Sequence, residues 1–137
     1  MTPYLVDTSA LARYANPAVA GRLQTLTAAN QLRICPPVAL EIGVTARSRT
    51  EHQQALSGLR GFPWVDVTGA AWERALDLQL ALAGRGWHRA VKLPDLVIAA
   101  TAAVHGLAVL HYDRDYDLVA EVTGQACEWI VPRGAIT

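Results

Sequence analysis

Asp7, Glu41, Asp95 and Asp113 are the residues whose type and placement suggest chemistry, because each acid adjoins an apolar run. Asp7 follows Tyr4-Leu5-Val6, Glu41 lies in Val38-Ala39-Leu40-Glu41-Ile42, Asp95 precedes Leu96-Val97-Ile98, and Asp113 follows Val109-Leu110-His111-Tyr112. An ionised carboxylate taken out of water costs on the order of several kcal/mol unless it is paired, and otherwise it neutralises. Two such groups about 5 Å apart repel by about 3 kcal/mol at an effective dielectric of about 20, so a cluster of them requires cations. Oxygen donors without His or Cys favour Mg2+ or Mn2+ over zinc, and Mg2+ retains waters and accepts phosphate oxygens as further ligands. Phosphodiester hydrolysis is the natural chemistry: one ion lowers the pKa of an attacking water, and a second about 4 Å away stabilises the leaving oxygen.

Each acid has a plainer reading when taken singly. Asp7 and Asp95 suit helix caps or dipole partners, Glu41 a surface position and Asp113 a turn. Capping explains neither the β-prone run before both Asp7 and Asp113 nor an acid inside the apolar stretch 38–44.

The elements that must position these acids follow from local pattern. Tyr4-Leu5-Val6 predicts a strand, with Asp7-Thr8-Ser9 capping a helix over residues 10–15. Asn16-Pro17 restarts a helix to about residue 29. A strand is expected at 33–35, a helix over 38–47 with Glu41 one turn in, a helix over 51–59 and a strand at 64–67. Trp72, Leu76, Leu80 and Ala83 fall on one face of a helix over 70–83. Pro94 opens a helix carrying Asp95 in its first turn and ending at Gly106. A fully apolar strand at 107–110, a short helix begun by Asp113, Asp115 and Asp117, and a strand at 129–131 complete the chain. Short buried strands alternating with helices predict an α/β domain with a mostly parallel central sheet covered on both faces. Ligands of such sheets bind beyond the carboxyl ends of the strands, where the four acids converge.

At 137 residues, with 52% hydrophobic content and no repeat or linker, the chain is expected to be one domain, residues 1–137. Its formal net charge is zero, which excludes bulk attraction to nucleic acid or membrane and leaves only local clustering. Cys35 and Cys127 are too few for a disulfide framework and read as small hydrophobes. No secretory signal or membrane-length apolar run is visible, so a cytoplasmic, soluble protein is expected. Arg supplies all basic residues except Lys92, a bias that suits phosphate binding and that a GC-rich genome also produces. Gly84-Arg85-Gly86-Trp87-His88-Arg89-Ala90-Val91-Lys92 is the one locally basic segment. Arg85, Trp87, Arg89 and Lys92 are candidate nucleic-acid contacts, by backbone pairing and base stacking, set against a solvated loop with Trp87 buried. Arg114 and Arg13 flank acidic motifs and can reach phosphate or offset carboxylate charge.

With these residues in place, nearly the whole chain resembles the PIN-domain ribonucleases, specifically the VapC toxins of bacterial type II toxin-antitoxin pairs. The resemblance is carried by Val6-Asp7-Thr8-Ser9-Ala10-Leu11, Leu40-Glu41-Ile42, Pro94-Asp95-Leu96-Val97-Ile98-Ala99-Ala100 and His111-Tyr112-Asp113-Arg114-Asp115-Tyr116-Asp117. The closing Glu128-Trp129-Ile130-Val131-Pro132-Arg133-Gly134 is similar to the tail of actinobacterial members. The resemblance implies a PIN-like three-layer α/β/α sandwich and a Mg2+- or Mn2+-dependent endoribonuclease that inhibits translation and growth. It also implies Asp7, Glu41, Asp95 and Asp113 as the catalytic, metal-holding quartet. Asp115 is a fifth participant, as a ligand through water or as a cap; Asp117 reads as a cap or solvent residue and His111 as structural. A VapB-type antitoxin, a tRNA or rRNA substrate and a homodimer are the implied partners. The antitoxin is expected to lie in an apolar groove beside the Glu41 helix and to place an Arg or Lys near Asp7 and Asp113.

Competing readings are a PIN-fold binding protein without catalysis and a nuclease acting on another nucleic acid. A phosphatase with Asp7 as nucleophile fits less well, since Thr8 and Ser9 stand where a second Asp is usual.

Overall fold

The structure, a computed structural model, describes residues 2–136. Its elements run β1 (Tyr4–Val6), α1 (Thr8–Leu11), α2 (Pro17–Ala28), β2 (Leu32–Arg33), α3 (Pro36–Val44), α4 (Arg49–Leu59), α5 (Gly69–Ala83), α6 (Leu93–His105), β3 (Ala108–His111), α7 (Asp115–Thr123) and β4 (Cys127–Trp129). The four strands form one wholly parallel sheet in the order β2-β1-β3-β4. Leu5 and Val6 of β1 lie opposite Val109 and Leu110 of β3, and all four side chains are fully buried, as a parallel sheet with helices on both faces requires.

The strand order also places the helices. The chain leaves β1 towards β2, then returns past β1 to β3 and continues to β4. Right-handed crossovers therefore put α2 on one face and α6 and α7 on the other, giving three α/β/α layers. Connections leave β1 and β3 in opposite directions, so a crevice opens beyond their carboxyl ends. Asp7 directly follows β1, and Asp113 follows β3 after one intervening residue.

Most helix starts have an identifiable local cause. Asn16 caps α2, its Oδ1 accepting the Ala18 N–H at 3.0 Å, with Pro17 in the first helical position. Ser48 and Thr68 cap α4 and α5 in the same way. Pro36 and Pro37 open α3, where a missing N–H costs nothing, so the helix begins two residues earlier than pattern alone predicts and Glu41 sits in its second turn. Gly106 ends α6 at φ 67°, a left-handed conformation that glycine adopts without strain.

Several expectations shift. Asp7 is the cap of α1, and the helix spans Thr8–Leu11 rather than residues 10–15. The pairing of β2 covers residues 32–33 and that of β4 covers 127–129, while the region 64–67 contributes a single bridge from Trp64 to Ile34. On α5 the packed face is Ala71, Ala75, Leu78 and Leu82, and Trp72, Leu76 and Leu80 project outward at 54%, 62% and 74% exposure. Leu40 and Val44 of α3 are also exposed, so only part of the apolar run around Glu41 packs inward and Glu41 is half-buried. Among the described residues, no helix is long and apolar enough to cross a membrane.

Candidate active site

Asp7 is held by the sheet and the first helical turn together. Its N–H donates to the Leu110 carbonyl at 2.8 Å, tying the end of β1 to β3. Its Oδ2 accepts the Ser9 N–H at 3.0 Å and the Ser9 hydroxyl at 2.5 Å. Its Oδ1 accepts the Tyr116 hydroxyl at 2.6 Å. The carboxylate is 2% exposed, so three donors replace the water it has lost.

Asp95 reaches the same point from the first turn of α6. The Tyr116 oxygen lies 3.2 Å from its Oδ1, while its buried Oδ2 has no hydrogen-bond partner among the described residues and faces the Lys92 ammonium at 3.3 Å. A phenol has one proton, and the shorter contact assigns it to Asp7. Burial, the neighbouring Asp115 and the charge of Asp7 push the Asp95 carboxyl up to about 8. Glu41 is raised by burial and by Asp7, against the Thr8 hydroxyl that donates to its Oε1 at 2.8 Å. Carboxylate oxygens of Asp7, Glu41 and Asp95 lie within 4.8 Å of one another.

The other half of the centre is built on the turn after β3. Asp113 Oδ1 accepts the Asp115 N–H at 2.9 Å, which fixes the turn into α7. Oxygens of Asp95, Asp113 and Asp115 form a second group within 4.8 Å, and the Lys92 ammonium stands among them. Burial alone raises Asp115, but its contacts with Asp95 and Lys92 hold it below the usual carboxylate range. The same acids hold the Lys92 ammonium well above its ordinary value despite partial burial.

The four acids expected from sequence thus come together, with Asp115 beside them. Asp117 stands apart, accepting the Trp129 indole N–H at 3.0 Å. His111 is buried, its ring 4.9 Å from those of Tyr116 and Trp129, and its Nδ1 accepts the Asp113 N–H. Burial lowers its pKa, which suits a neutral ring that packs and supports the turn. Of the five candidate RNA contacts, Lys92 lies inside the acidic centre. Arg85 pairs with Glu121 at 3.4 Å and stacks over the half-buried Trp87, whereas Arg89 and Arg114 are exposed. Arg13 donates to the Ser9 carbonyl at 2.7 Å and lies over the Tyr112 ring. Tyr116, fully buried at the junction of Asp7 and Asp95, is the site residue that sequence reasoning missed. The available signal was a phenol between two acids, in the first turn after an acidic motif.

An all-oxygen donor set, closely spaced, with an unbonded buried carboxylate oxygen, fits a hard divalent cation such as Mg2+ or Mn2+. Cys35 is buried with its thiol pushed up to about 12 by burial and offers no competing soft ligand.

Residues 4–122 match the PIN domain. The chain is 45% identical to Ribonuclease VapC51 of Mycobacterium tuberculosis over 133 residues, 97% of this chain and 96% of that protein. It is 43% identical to Ribonuclease VapC21 of the same organism over 134 residues, covering 97% of both. Among solved structures, DNA-bound VapBC from Salmonella typhimurium aligns with a TM-score of 0.76 at 19% identity, covering 96% of this chain and 100% of that one, which shows the shared fold. The chain therefore belongs to the PIN domain family and, within it, to the group of the VapC ribonucleases.

Proposed function

We propose that the chain is an endoribonuclease toxin that hydrolyses RNA phosphodiester bonds with Mg2+ or Mn2+ and is neutralised by a cognate VapB-type antitoxin. The observation that carries the reading is the convergence of Asp7, Glu41, Asp95 and Asp113 at the crevice between β1 and β3, with Asp95 Oδ2 buried and without a hydrogen bond. Asp7, Glu41 and Asp95 would hold the ion directly, with Asp113 completing the acidic rim. When bound, the ion supplies a water of lowered pKa and offsets charge developing on the phosphate. The chain's own groups prepare that site: Ser9 and Tyr116 fix Asp7, and Thr8 orients Glu41. Such outer hydrogen bonds set ligand orientation and basicity. Arg89 and Arg114, both exposed, are assigned to the RNA backbone in this reading.

In this reading residues 1–137 work as one domain in the cytoplasm and pair with a second copy through the outward rows of α3 and α5. Exposed apolar rows of that kind mark protein contacts. The antitoxin is assigned to a groove of about 860 Å3 lined by Leu11, Tyr14, Leu23, Ile42, Leu59 and Phe62, which adjoins the helix bearing Glu41. Sequencing of the ends produced when the purified chain and Mn2+ meet total cellular RNA tests the assignment. Discrete internal cuts are expected. Intact RNA, or cleavage confined to added DNA, would contradict it.

A further inference from the structure

We propose that Lys92 is a tethered cation filling the Asp95–Asp113–Asp115 side of the centre, so that the chain takes one divalent ion, at Asp7–Glu41–Asp95, rather than two. The proposal rests on the metal-dependent reading above and specifies how many ions the site accepts.

The acids form two groups that share Asp95. In the second, Lys92 Nζ lies 2.8 Å from Asp113 Oδ2, 2.8 Å from Asp115 Oδ2 and 3.3 Å from Asp95 Oδ2. The ammonium donates hydrogen bonds to Asp113 and Asp115 and faces Asp95 Oδ2 as an ion pair without a hydrogen bond. A divalent ion bound there would draw on the same three carboxylates, so it and the ammonium would compete for the position. The lysine is also anchored through its backbone. Its N–H donates to Asp115 Oδ2 at 3.2 Å, and its extended conformation precedes Leu93 and Pro94 at the start of α6. The head group is thereby delivered across the first turn to Asp95, three residues on.

The first group is furnished differently. Asp7 and Glu41 receive neutral hydroxyl donors from Ser9, Tyr116 and Thr8, which orient carboxylates without neutralising their charge. Asp95 Oδ2 joins the two groups and has no hydrogen bond. An ion at Asp7–Glu41–Asp95 and the ammonium at Asp113–Asp115 would then share Asp95 between them.

Titration of the purified full chain with Mn2+, followed by calorimetry and by the electron paramagnetic resonance of the free ion, counts the sites. Wild type should bind one Mn2+ per chain, Lys92→Arg should also bind one, and Lys92→Gln should bind two. Two ions in wild type, or one in Lys92→Gln at unchanged affinity, overturns the proposal. If Lys92→Gln unfolds without metal, its melting in Mn2+ decides. A larger Mn2+-induced rise in melting temperature than wild type shows is expected, and an equal or smaller rise overturns the proposal. No Mn2+ binding by wild type would defeat the metal-dependent reading as a whole, whereas two ions in wild type would defeat only the role of Lys92.

Discussion

Tyr116 and Asp95 define the residue-scale behaviour of the centre. The Tyr116 hydroxyl fixes Asp7 Oδ1, so Tyr116→Phe removes one hydrogen bond while leaving the packed ring in place. Loss of such an outer-shell partner should weaken Mn2+ affinity by about 10-fold, towards the lower end of its usual range, with melting temperature little changed. Equal Mn2+ affinity in calorimetry would show that Tyr116 only fills space. The raised pKa of Asp95 gives a second expectation, whose sign is opposite to the common one for acids. A carboxyl whose folded pKa is about 8, against an ordinary 3.8, binds its proton more tightly when folded. Its contribution to stability is full below the ordinary value and is lost as pH rises through the folded one. Glu41 is shifted in the same direction. The depressed Asp115 acts oppositely, losing its contribution only as pH falls below the ordinary carboxylate range. Between about pH 5 and pH 8 the metal-free chain should therefore lose melting temperature, while stabilisation by Mn2+ grows, because ion binding releases the protons. RNA cleavage should decline as the medium is acidified. Melting curves with a pH-independent Mn2+ effect would contradict this linkage.

At the scale of elements, α5 carries apolar side chains on both sides, and only one side meets the core. The outward Trp72, Leu76 and Leu80 are exposed, which leads to the expectation that wild type dimerises and that Leu76→Lys combined with Leu80→Lys is a folded monomer. Light scattering checks this, and a wild-type monomer across micromolar concentrations would overturn it. The same helix shows what was legible in the sequence. Its span could be read from the 3.6-residue period, though not its Thr68 cap, and a helix with two apolar faces does not say which one packs. Proline and capping residues made α2, α3 and α6 readable to within a few residues. Strands β1 and β3 were located to within one residue, whereas β2, β4 and the run at 64–67 were located less well because such short strands have ends set by partners far along the chain, as at Ile34 and Trp64. For the site, the acids were legible because each adjoins an apolar run. Tyr116 was not, since its role depends on α7 bringing its hydroxyl to Asp7, more than a hundred residues earlier in the chain. Lys92 was visible as the single lysine next to Asp95, yet its direction, into the acids rather than towards solvent, is a property of the α6 start.

For the whole molecule, the parallel sheet with its switch point between β1 and β3 explains how acids from four separate segments meet without a dedicated loop. The groove beside α3 extends the design to control. An antitoxin segment lying there can bring an Arg to the carboxylates, since a planar fork pairs with two oxygens at once. If it competes with the ion, raising Mn2+ should partly restore cleavage by the intact complex. Absence of cleavage at every Mn2+ concentration, with normal Mn2+ binding by the complex, would instead mean that the antitoxin blocks RNA entry. The central claim is that these carboxylates hold the ion that supports RNA hydrolysis. Its most direct test is RNA cleavage by wild type and Asp7→Asn, measured side by side across a Mn2+ titration. Wild-type cleavage should rise with Mn2+ and cease in EDTA, and Asp7→Asn, folded by circular dichroism, should cut at least ~100-fold more slowly, beyond the usual cost of losing an outer-shell partner. Equal rates in the two proteins, or wild-type cleavage that persists after thorough EDTA treatment, would contradict it.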